Sequence, residues 1–547
     1  MTQNENRPRP SHAAPGVRQN LEYPVIPLYQ FLDDAVSSFP DAPAAIFAGS
    51  VQTYRELGSQ ANRLASALRE LGVQRGDRVS LMLPNCPQMI AAFYGVLKAG
   101  AIVVQVNPLF SSRELENRLY DCGAETIILL DEYLPRLQAI QKRSPVNNVI
   151  TVNLTGETKA PQEGALDYDL LLAGTGDGAP EHCPDPASDV ALIQYTCGTT
   201  GISKGAMLTH FNLVANTLQV RETLAATCCR GQDRVLVTLP LFHVYGMTLG
   251  MNLALSIAGT QVLLPRFDAG AVLKAINDYR PTYFPGTPYM FTSLLNHPRL
   301  ADFDLSSLKA CISVSAPLSP EVVRRFEALT GGRLVEGYGL TEASPVIAVN
   351  SLSGAEKPGS IGRPLPDTEC AVVNLDTGEK VLQPGEFGEL IVRGSQVMKG
   401  YWKHPEETAY ALRDGWLFTG DVARMDGDGF IYIVNRKKTA ITGVGYDVNP
   451  RDVEDVIYEH PGVTEVVVIG IDSLDHEKTI KAYIVLEEGW TVTEEEIIRF
   501  CRERLQDYQV PKVVEFRKSL PKTIAGKVLR RVLIEEEKQL LKKQRQR

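Results

Sequence analysis

The sequence predicts an α/β fold, with a large N-terminal domain of parallel sheets covered by helices and a small α/β domain after it. Strand-like and helix-like runs alternate through the first two-thirds of the chain, and a second α/β pattern begins after Arg436. Between these two regions the chain has short strands separated by turns that contain glycine. At 547 residues, the chain is long enough to bury several hydrophobic cores.

The alternation is clearest near the N-terminus. RVSLMLP (78–84) is typical of a buried strand, QMIAAFYGVLKAG (88–100) of a helix, and AIVVQVNP (101–108) and TIILLD (126–131) of further strands. Strands that alternate with helices in this way favour a parallel sheet covered by helices.

The segment from Val235 to Pro265 contains no Asp, Glu, Lys or Arg, has His243 as its only side chain that can carry a charge near neutral pH, and is long enough to span a bilayer. Prolines, glycines and polar residues interrupt it, however. We therefore expect a buried strand (VLVTLP), a buried helix (MTLGMNLALSIAG) and a second buried strand (TQVLLP) in the core of an α/β domain.

The glycine-bearing turns of 359–434 predict a small antiparallel or barrel-like β unit. After Arg436, RDVEDVIYEHPG predicts a helix, and TEVVVIGI and IKAYIVLEEG predict strands. Thr493 followed by Glu496 predicts a capping box that opens another helix. We expect a disordered lead-in over 1–24, an N-terminal domain over 25–435 and a C-terminal domain over 436–547.

Composition excludes several functional classes. The net charge of −9 argues against nucleic acid as the main partner, because that binding depends on clustered positive charge. The nine cysteines include no CxxC pair and no zinc-ligand spacing, which indicates a reducing cytosol and no structural metal. The N-terminus lacks the apolar core of a signal peptide, so we expect a cytoplasmic protein.

The segment YTCGTTGISKGAMLTH (195–210) combines hydroxyls, glycines and one lysine. It is not a P-loop, because Ser203 stands where that motif needs glycine and Gly205 where it needs serine or threonine. Its backbone N–H groups can still bind an anion, with Lys204 as a point charge. A flexible surface loop is the alternative.

Three further segments accompany this loop: EGYGLTEASP (336–345), GWLFTGDVARMDGDGFIYIVNRKK (415–438) and PKTIAGKVLRR (521–531). In this order, the four motifs resemble those of the adenylate-forming superfamily of acyl-CoA synthetases, adenylation domains and luciferases. Within it, the chain looks most like bacterial long-chain fatty-acyl-CoA synthetases. The resemblance implies that a carboxylate attacks the α-phosphate of ATP, and that coenzyme A then displaces AMP after a mobile C-terminal domain has rotated.

The resemblance also implies roles for individual residues, with ATP, Mg²⁺ and coenzyme A as ligands. The phosphate loop would comprise Thr196, Cys197, Gly198, Thr199, Thr200, Gly201 and Lys204. The adenine site would comprise Ser315, Ala316, Pro317, Gly337, Tyr338 and Gly339. Asp421 and Arg436 would bind ribose or phosphate, and Lys438 would be the hinge. Lys527, Glu342, Thr341 and His243 would be catalytic, with Thr196 and Glu342 at the magnesium ion.

Structural roles without ligand contact are the alternatives for several of these residues. Lys204 would then be a solvated charge, His243 a buried structural histidine and Arg436 part of a salt bridge at the domain boundary. The chain departs from the family pattern at Thr439, Val444 and 475–478, on the face used for thioester formation.

The predicted function is a ligase that joins a medium- to long-chain fatty acid to coenzyme A. The small residues Gly246, Gly250, Ala254 and Gly259 would leave room for the acyl chain. The alternatives are a ligase that loads a carrier protein, an aryl-CoA ligase and a catalytically silent binding relative. Peripheral contact with the inner face of the membrane and a homodimer also stay open.

Overall fold

The computed structural model describes residues 17–155, 164–178, 183–196, 203–352, 354, 356–375, 377–436, 441–442, 447–448, 450–472, 478–522 and 528–545. These residues form two compact units. The larger unit contains 17–370 and 392–417, and the smaller unit contains 371–391 and 418–545.

The described residues form these β-strands: β1 Pro43–Phe47, β2 Ser50–Thr53, β3 Arg78–Met82, β4 Ile102–Gln105, β5 Thr126–Leu130, β6 Asn148–Val152, β7 Leu166–Asp167, β8 Val190–Tyr195, β9 Gly205–Thr209, β10 Arg234–Val237, β11 Thr260–Leu263, β12 Tyr283–Gly286, β13 Ala310–Ser313, β14 Arg333–Gly339, β15 Val346–Val349, β16 Arg363–Pro364, β17 Glu369–Val373, β18 Gly388–Arg393, β19 Gly400–Tyr401, β20 Leu412–Arg413, β21 Trp416–Met425, β22 Ile431–Arg436, β23 Ile441–Thr442, β24 Asp447–Val448, β25 Val463–Asp472, β26 Lys478–Leu486 and β27 Val513–Phe516.

They also form these α-helices: α1 Gln30–Ser38, α2 Tyr54–Glu70, α3 Pro87–Lys98, α4 Ser112–Cys122, α5 Leu134–Gln138, α6 Tyr168–Ala173, α7 His210–Thr223, α8 Leu253–Ser256, α9 Ala269–Tyr279, α10 Pro288–Leu295, α11 Pro320–Thr330, α12 Pro405–Ala411, α13 Pro450–Tyr458, α14 Glu494–Arg502 and α15 Arg530–Arg545.

Two mainly parallel sheets build the larger unit. One has the order β16-β15-β14-β13-β12-β10-β11-β1-β2 and the other the order β19-β9-β8-β4-β3-β5-β6-β7. The central strands of each sheet are parallel, and antiparallel pairs lie toward the edges. The predicted α/β fold, with a large N-terminal and a smaller C-terminal domain, is confirmed.

The apolar segment from 235 to 265 forms β10, a π-helix over Gly246–Asn252, α8 and β11, as the predicted strand, helix and strand. All of the π-helix is buried. No helix in the described ranges is long and apolar enough to cross a membrane.

The glycines of this segment accommodate the protein's own backbone. A Cβ added at Gly246 would lie 2.2 Å from the Pro240 carbonyl oxygen, and one at Gly259 would lie 2.8 Å from the Asp233 carbonyl oxygen. The expectation that these two glycines leave room for an acyl chain is therefore wrong.

In the smaller unit, β21 and β22 form the predicted hairpin, and β26 pairs with β25 in antiparallel and with β27 in parallel orientation. Thr493 and Glu496 form the predicted capping box of α14, each accepting a backbone N–H of the other. The apolar faces of α13 and α14 supply Val453, Ile457 and Ile497 to a core beneath the sheet.

Residues 17–24, which the sequence assigns to a disordered lead-in, are instead held on the larger unit. The Leu21 N–H and the Tyr23 hydroxyl both donate to Asp367 Oδ2, at 2.9 and 2.8 Å. The Tyr23 ring also contacts the Phe211 ring edge to face, with centroids 6.2 Å apart.

Candidate active site

Both ends of the predicted phosphate loop are fixed between β8 and β9. The Thr196 N–H donates to the Lys204 carbonyl oxygen at 2.9 Å, and the Ser203 hydroxyl donates to the Thr196 carbonyl oxygen. Arg118 from α4 donates to the Ser203 hydroxyl at 3.0 Å, and its guanidinium stacks 3.3 Å from the centroid of the Tyr195 ring. Three side chains and three backbone groups therefore close the base of the loop.

Several predicted site residues lie outside the described residues: Cys197, Gly198, Thr199, Thr200, Gly201, Lys438 and Lys527. The departures at Thr439, Val444 and 475–477 lie there as well. The roles predicted for these residues stay predictions.

Lys204 and Glu342 are brought together by Tyr401, which the sequence analysis did not single out. The Lys204 ammonium lies 4.4 Å from the centroid of the Tyr401 ring. The Tyr401 hydroxyl donates to Glu342 Oε1 at 2.7 Å. Burial and the neighbouring Glu342 carboxylate both raise the pKa of Tyr401, so it is a neutral hydrogen-bond donor at neutral pH.

Strand pairing positions this cluster. β19 pairs antiparallel with β9, so that Tyr401 lies opposite Ala206, directly after the end of the phosphate loop. The Met398 N–H donates to the Glu342 carbonyl oxygen at 2.8 Å. The segment 398–401 therefore joins the loop to the EGYGLTEASP motif.

The EGYGLTEASP motif begins in β14 and turns through a 3₁₀ helix over Thr341–Ala343. A Cβ at Gly339 would lie 2.0 Å from the Pro345 carbonyl oxygen, so only glycine permits this close approach. Tyr338, Thr341 and Glu342 are half-buried at the start of the turn.

The predicted adenine turn lies beside this motif. β12, β13 and β14 are parallel, and Ser313, the last residue of β13, pairs with Glu336 in β14. Ser315, Ala316 and Pro317 follow β13 and are exposed. Glu336 accepts the Leu318 N–H at 3.3 Å and so connects the turn to β14.

His243 lies half-buried between β10 and the π-helix. Its Nδ1 accepts the Tyr245 N–H at 3.2 Å, so a neutral His243 ring carries its proton on Nε2. The Tyr245 hydroxyl donates to the Ile312 carbonyl oxygen at 2.7 Å, and the Thr248 hydroxyl donates to the Ser344 carbonyl oxygen at 2.8 Å. The apolar segment is therefore hydrogen-bonded to β13, which precedes the predicted adenine turn, and to the EGYGLTEASP motif, which contains Glu342.

Three amide side chains hold the loop before His243: Gln105 and Gln194 lie in strands of the sheet that contains β4 and β8, and Asn85 lies in the loop after β3. Gln105 Nε2 donates to the Leu241 carbonyl oxygen at 2.8 Å, and Gln194 Nε2 donates to the Phe242 carbonyl oxygen at 3.2 Å. Asn85 accepts the Leu241 N–H at 2.8 Å and donates to the carbonyl oxygen that precedes Pro240. Gln105, a polar residue at the end of the otherwise apolar strand β4, was the signal in the sequence for one of these positions.

Asp421 and Arg436 lie in the smaller unit. They are cross-strand partners in the β21–β22 hairpin. Asp421 is only 4 % exposed, and its N–H donates to the Thr419 hydroxyl at 3.1 Å. The Gly420 N–H donates to buried Glu389 at 3.0 Å, so the turn that carries Asp421 is fixed.

Oxygen donors near the phosphate loop are of the kind that binds Mg²⁺ together with a nucleotide. In the described part of the chain, no group of three His, Cys, Asp or Glu side chains could hold a metal ion by itself. Magnesium in nucleotide sites is bound by one or two protein ligands plus phosphate oxygens and water. The Glu342 carboxylate, whose Oε1 is oriented by Tyr401, and the Thr196 hydroxyl are oxygen donors of that kind.

Two family models match the chain in order. The AMP-binding enzyme model matches residues 32–402, and the AMP-binding enzyme C-terminal domain model matches residues 452–527. The chain belongs to the AMP-binding enzyme family. The predicted resemblance is therefore confirmed.

Curated relatives match nearly the whole chain. A long-chain-fatty-acid–CoA ligase of Bacillus subtilis (strain 168) is 45 % identical, over 95 % of this chain and 96 % of its own. A ligase of the same name from Escherichia coli O157:H7 is 38 % identical, over 93 % and 94 %. A feruloyl-CoA synthase of an Amycolatopsis species is also 38 % identical, over 90 % and 95 %.

A solved structure matches to the same extent. The crystal structure of ATP-bound MatB from Rhodopseudomonas palustris superposes with a TM-score of 0.84 at 30 % identity, over 93 % of this chain and 98 % of that one.

Proposed function

We propose that this AMP-binding enzyme is an ATP- and Mg²⁺-dependent ligase that converts a medium- to long-chain fatty acid into its acyl-CoA. The observation that carries the proposal is the Lys204–Tyr401–Glu342 cluster at the base of the phosphate loop. It lies in a chain that is 45 % identical to a long-chain-fatty-acid–CoA ligase over nearly its whole length.

The residues of the cluster suit the first half-reaction. Attack of a carboxylate on a triphosphate needs negative charge neutralised and oxygens aligned, and it requires little covalent work from the protein. Lys204 supplies positive charge to the β- and γ-phosphates, and Glu342 with Thr196 would hold the metal. Magnesium, when bound, neutralises charge on the phosphate oxygens.

The remaining roles follow the family pattern. Asp421 accepts hydrogen bonds from the ribose hydroxyls, and Lys527 contacts the carboxylate and the α-phosphate during adenylation. Rotation of the C-terminal domain about Lys438 then withdraws Lys527, and the thiol of coenzyme A displaces AMP. Cytoplasmic location, peripheral membrane contact and a homodimer belong to the same proposal.

The acid is proposed to be a fatty acid because this chain is 45 % identical, over nearly its whole length, to a protein named long-chain-fatty-acid–CoA ligase. Each methylene buried contributes about 0.8 kcal/mol. The kcat/KM should therefore rise by roughly tenfold for each added pair of methylenes until the site is filled.

A panel of carboxylates from acetate to stearate, with benzoate and ferulate, tests the proposal. Acyl-CoA and AMP are measured with coenzyme A, and pyrophosphate release is measured without it. We expect kcat/KM to be highest for a fatty acid of eight carbons or more. A maximum at acetate, benzoate or ferulate would contradict the fatty-acid assignment, and adenylation without acyl-CoA formation would indicate a carrier-loading ligase.

A further inference from the structure

Tyr401 contacts both residues on which the phosphate and metal chemistry depends. Its hydroxyl donates to Glu342 Oε1 at 2.7 Å, and its ring face lies 4.4 Å below the Lys204 ammonium. One side chain therefore connects two residues that lie far apart in the sequence.

The backbone holds Tyr401 in place independently of these two contacts. Tyr401 pairs with Ala206 across β19 and β9, and its N–H donates to the Thr408 hydroxyl at 2.8 Å. The Thr408 hydroxyl itself donates to the His404 carbonyl oxygen at 2.8 Å. Tyr401 is only 7 % exposed, so its ring has a fixed position from which to orient its neighbours.

The two contacts of Tyr401 restrict different motions: the rotation of the Glu342 carboxylate and the position of the Lys204 ammonium. A carboxylate rotates about its last bond, and a hydrogen bond to Oε1 fixes that rotation and leaves Oε2 to meet a metal ion. A lysine side chain is long and tends to extend into water, and a ring face within about 6 Å attracts its ammonium.

We propose that Tyr401 is a positioning residue for adenylation: its hydroxyl orients Glu342 for Mg²⁺, and its ring holds Lys204 toward the ATP phosphates. The proposal rests on the function proposed above, because it requires a nucleotide at this loop. It makes two separable claims, one for the hydroxyl and one for the ring.

Calorimetric binding of α,β-methylene-ATP, an analogue that cannot be adenylated, separates these claims. The Kd is measured with saturating Mg²⁺ and again with EDTA, and the ratio of the two constants reports the contribution of the metal. Tyr401→Phe removes the hydroxyl and keeps the ring, whereas Tyr401→Leu removes both. Tyr410→Phe, at an exposed tyrosine on α12, is the matched control.

We expect Tyr401→Phe to reduce the metal contribution by about tenfold, the usual cost of losing a partner of a metal ligand, while binding in EDTA stays unchanged. Tyr401→Leu should in addition weaken binding in EDTA by about two- to fivefold, because the Lys204 ammonium loses its contact with the Tyr401 ring.

In a Glu342→Gln background, Tyr401→Phe should have no further effect on the ratio of the two dissociation constants. Pyrophosphate release at limiting Mg²⁺ should fall in parallel, and Tyr410→Phe should match the wild type throughout.

An unchanged metal contribution in Tyr401→Phe would overturn the claim for the hydroxyl. Equal losses with and without metal would overturn it too, because that pattern indicates general damage to the site. EDTA binding by Tyr401→Leu equal to that by Tyr401→Phe would overturn the claim for the ring. If the wild type binds neither form of the nucleotide, the proposed function fails together with this inference.

Discussion

Ser315 has a strained backbone in the predicted adenine turn. It adopts a φ of 77°, in the left-handed region that glycine favours. For a residue with a Cβ this conformation costs about 1–2 kcal/mol, which the rest of the turn must offset. The main-chain path past the predicted adenine site is thus kept at a cost in local strain.

Lys527 should separate the two half-reactions. Lys527→Ala removes a charge that, in the proposed mechanism, contacts the carboxylate and the α-phosphate only during adenylation. We expect a 100- to 1,000-fold loss in pyrophosphate release, typical for removal of one charge-stabilising contact. Formation of acyl-CoA from supplied acyl-adenylate should stay near the wild-type rate, as measured by rapid quench.

Lys522→Ala is the matched control for this experiment. It removes the same charge from the same segment, but the Lys522 ammonium pairs with Glu465 in the smaller unit. It should leave both half-reactions close to wild type. Equal losses in the two half-reactions of Lys527→Ala would refute the assigned role.

At the scale of elements, the sequence predicted the strands and helices well where apolar runs have a clear length and period. β3, β4, β5 and β11 lie within the predicted segments, and α3 and β10 each begin one residue before the predicted segment. The π-helical form of 246–252 was not predicted, because a fully apolar run favours any buried helix equally.

Contacts between distant segments account for most of what sequence reasoning missed in the candidate site. Tyr401 reaches Glu342 and Lys204 only because β19 pairs with β9, and no local pattern in KGYW indicates that pairing. Gln105 and Gln194 reach the loop before His243 from the other sheet. Glu342, Lys204 and Asp421 could be predicted as candidate site residues because each lies within a short contiguous sequence motif.

The stem of the phosphate loop yields a prediction at this scale. Ser203→Ala removes the hydroxyl that donates to the Thr196 carbonyl oxygen and accepts from Arg118. Because one such hydrogen bond contributes about 0.5–1.5 kcal/mol, we expect the KM for ATP to rise by about three- to tenfold. Ser203→Thr keeps the hydroxyl and should restore the wild-type value in steady-state assays.

The KM for the fatty acid should not change in either variant, because the stem holds the phosphate loop and not the apolar segment. A rise in both KM values, or an unchanged KM for ATP in Ser203→Ala, would show that the stem does not position the loop.

At the scale of the whole molecule, side chains and segments from distant parts of the sequence hold the larger unit together. The amides of Asn85, Gln105 and Gln194 connect its two sheets. The N-terminal segment is joined to α7, where the Leu28 N–H donates to Nδ1 of buried His210 at 3.1 Å. Protonation of His210 would remove that acceptor.

Acid should therefore destabilise the larger unit through His210. Burial lowers the pKa of His210 from 6.5 to about 4, and the nearby Asp189 only partly opposes this. The unfolded chain binds the proton first, so this contribution to stability is complete above pH 6.5 and is lost as the pH falls toward 4. The difference in pKa corresponds to about 3 kcal/mol.

The variant His210→Asn tests this, because asparagine keeps an acceptor that does not titrate. It should lower the melting temperature at pH 7.5, yet its melting temperature should decline less steeply between pH 6.5 and 4.5. Circular dichroism across that range checks this, with His297→Asn, at a half-buried histidine, expected to keep the wild-type slope. A decline in His210→Asn as steep as in the wild type would mean that other groups cause the acid sensitivity.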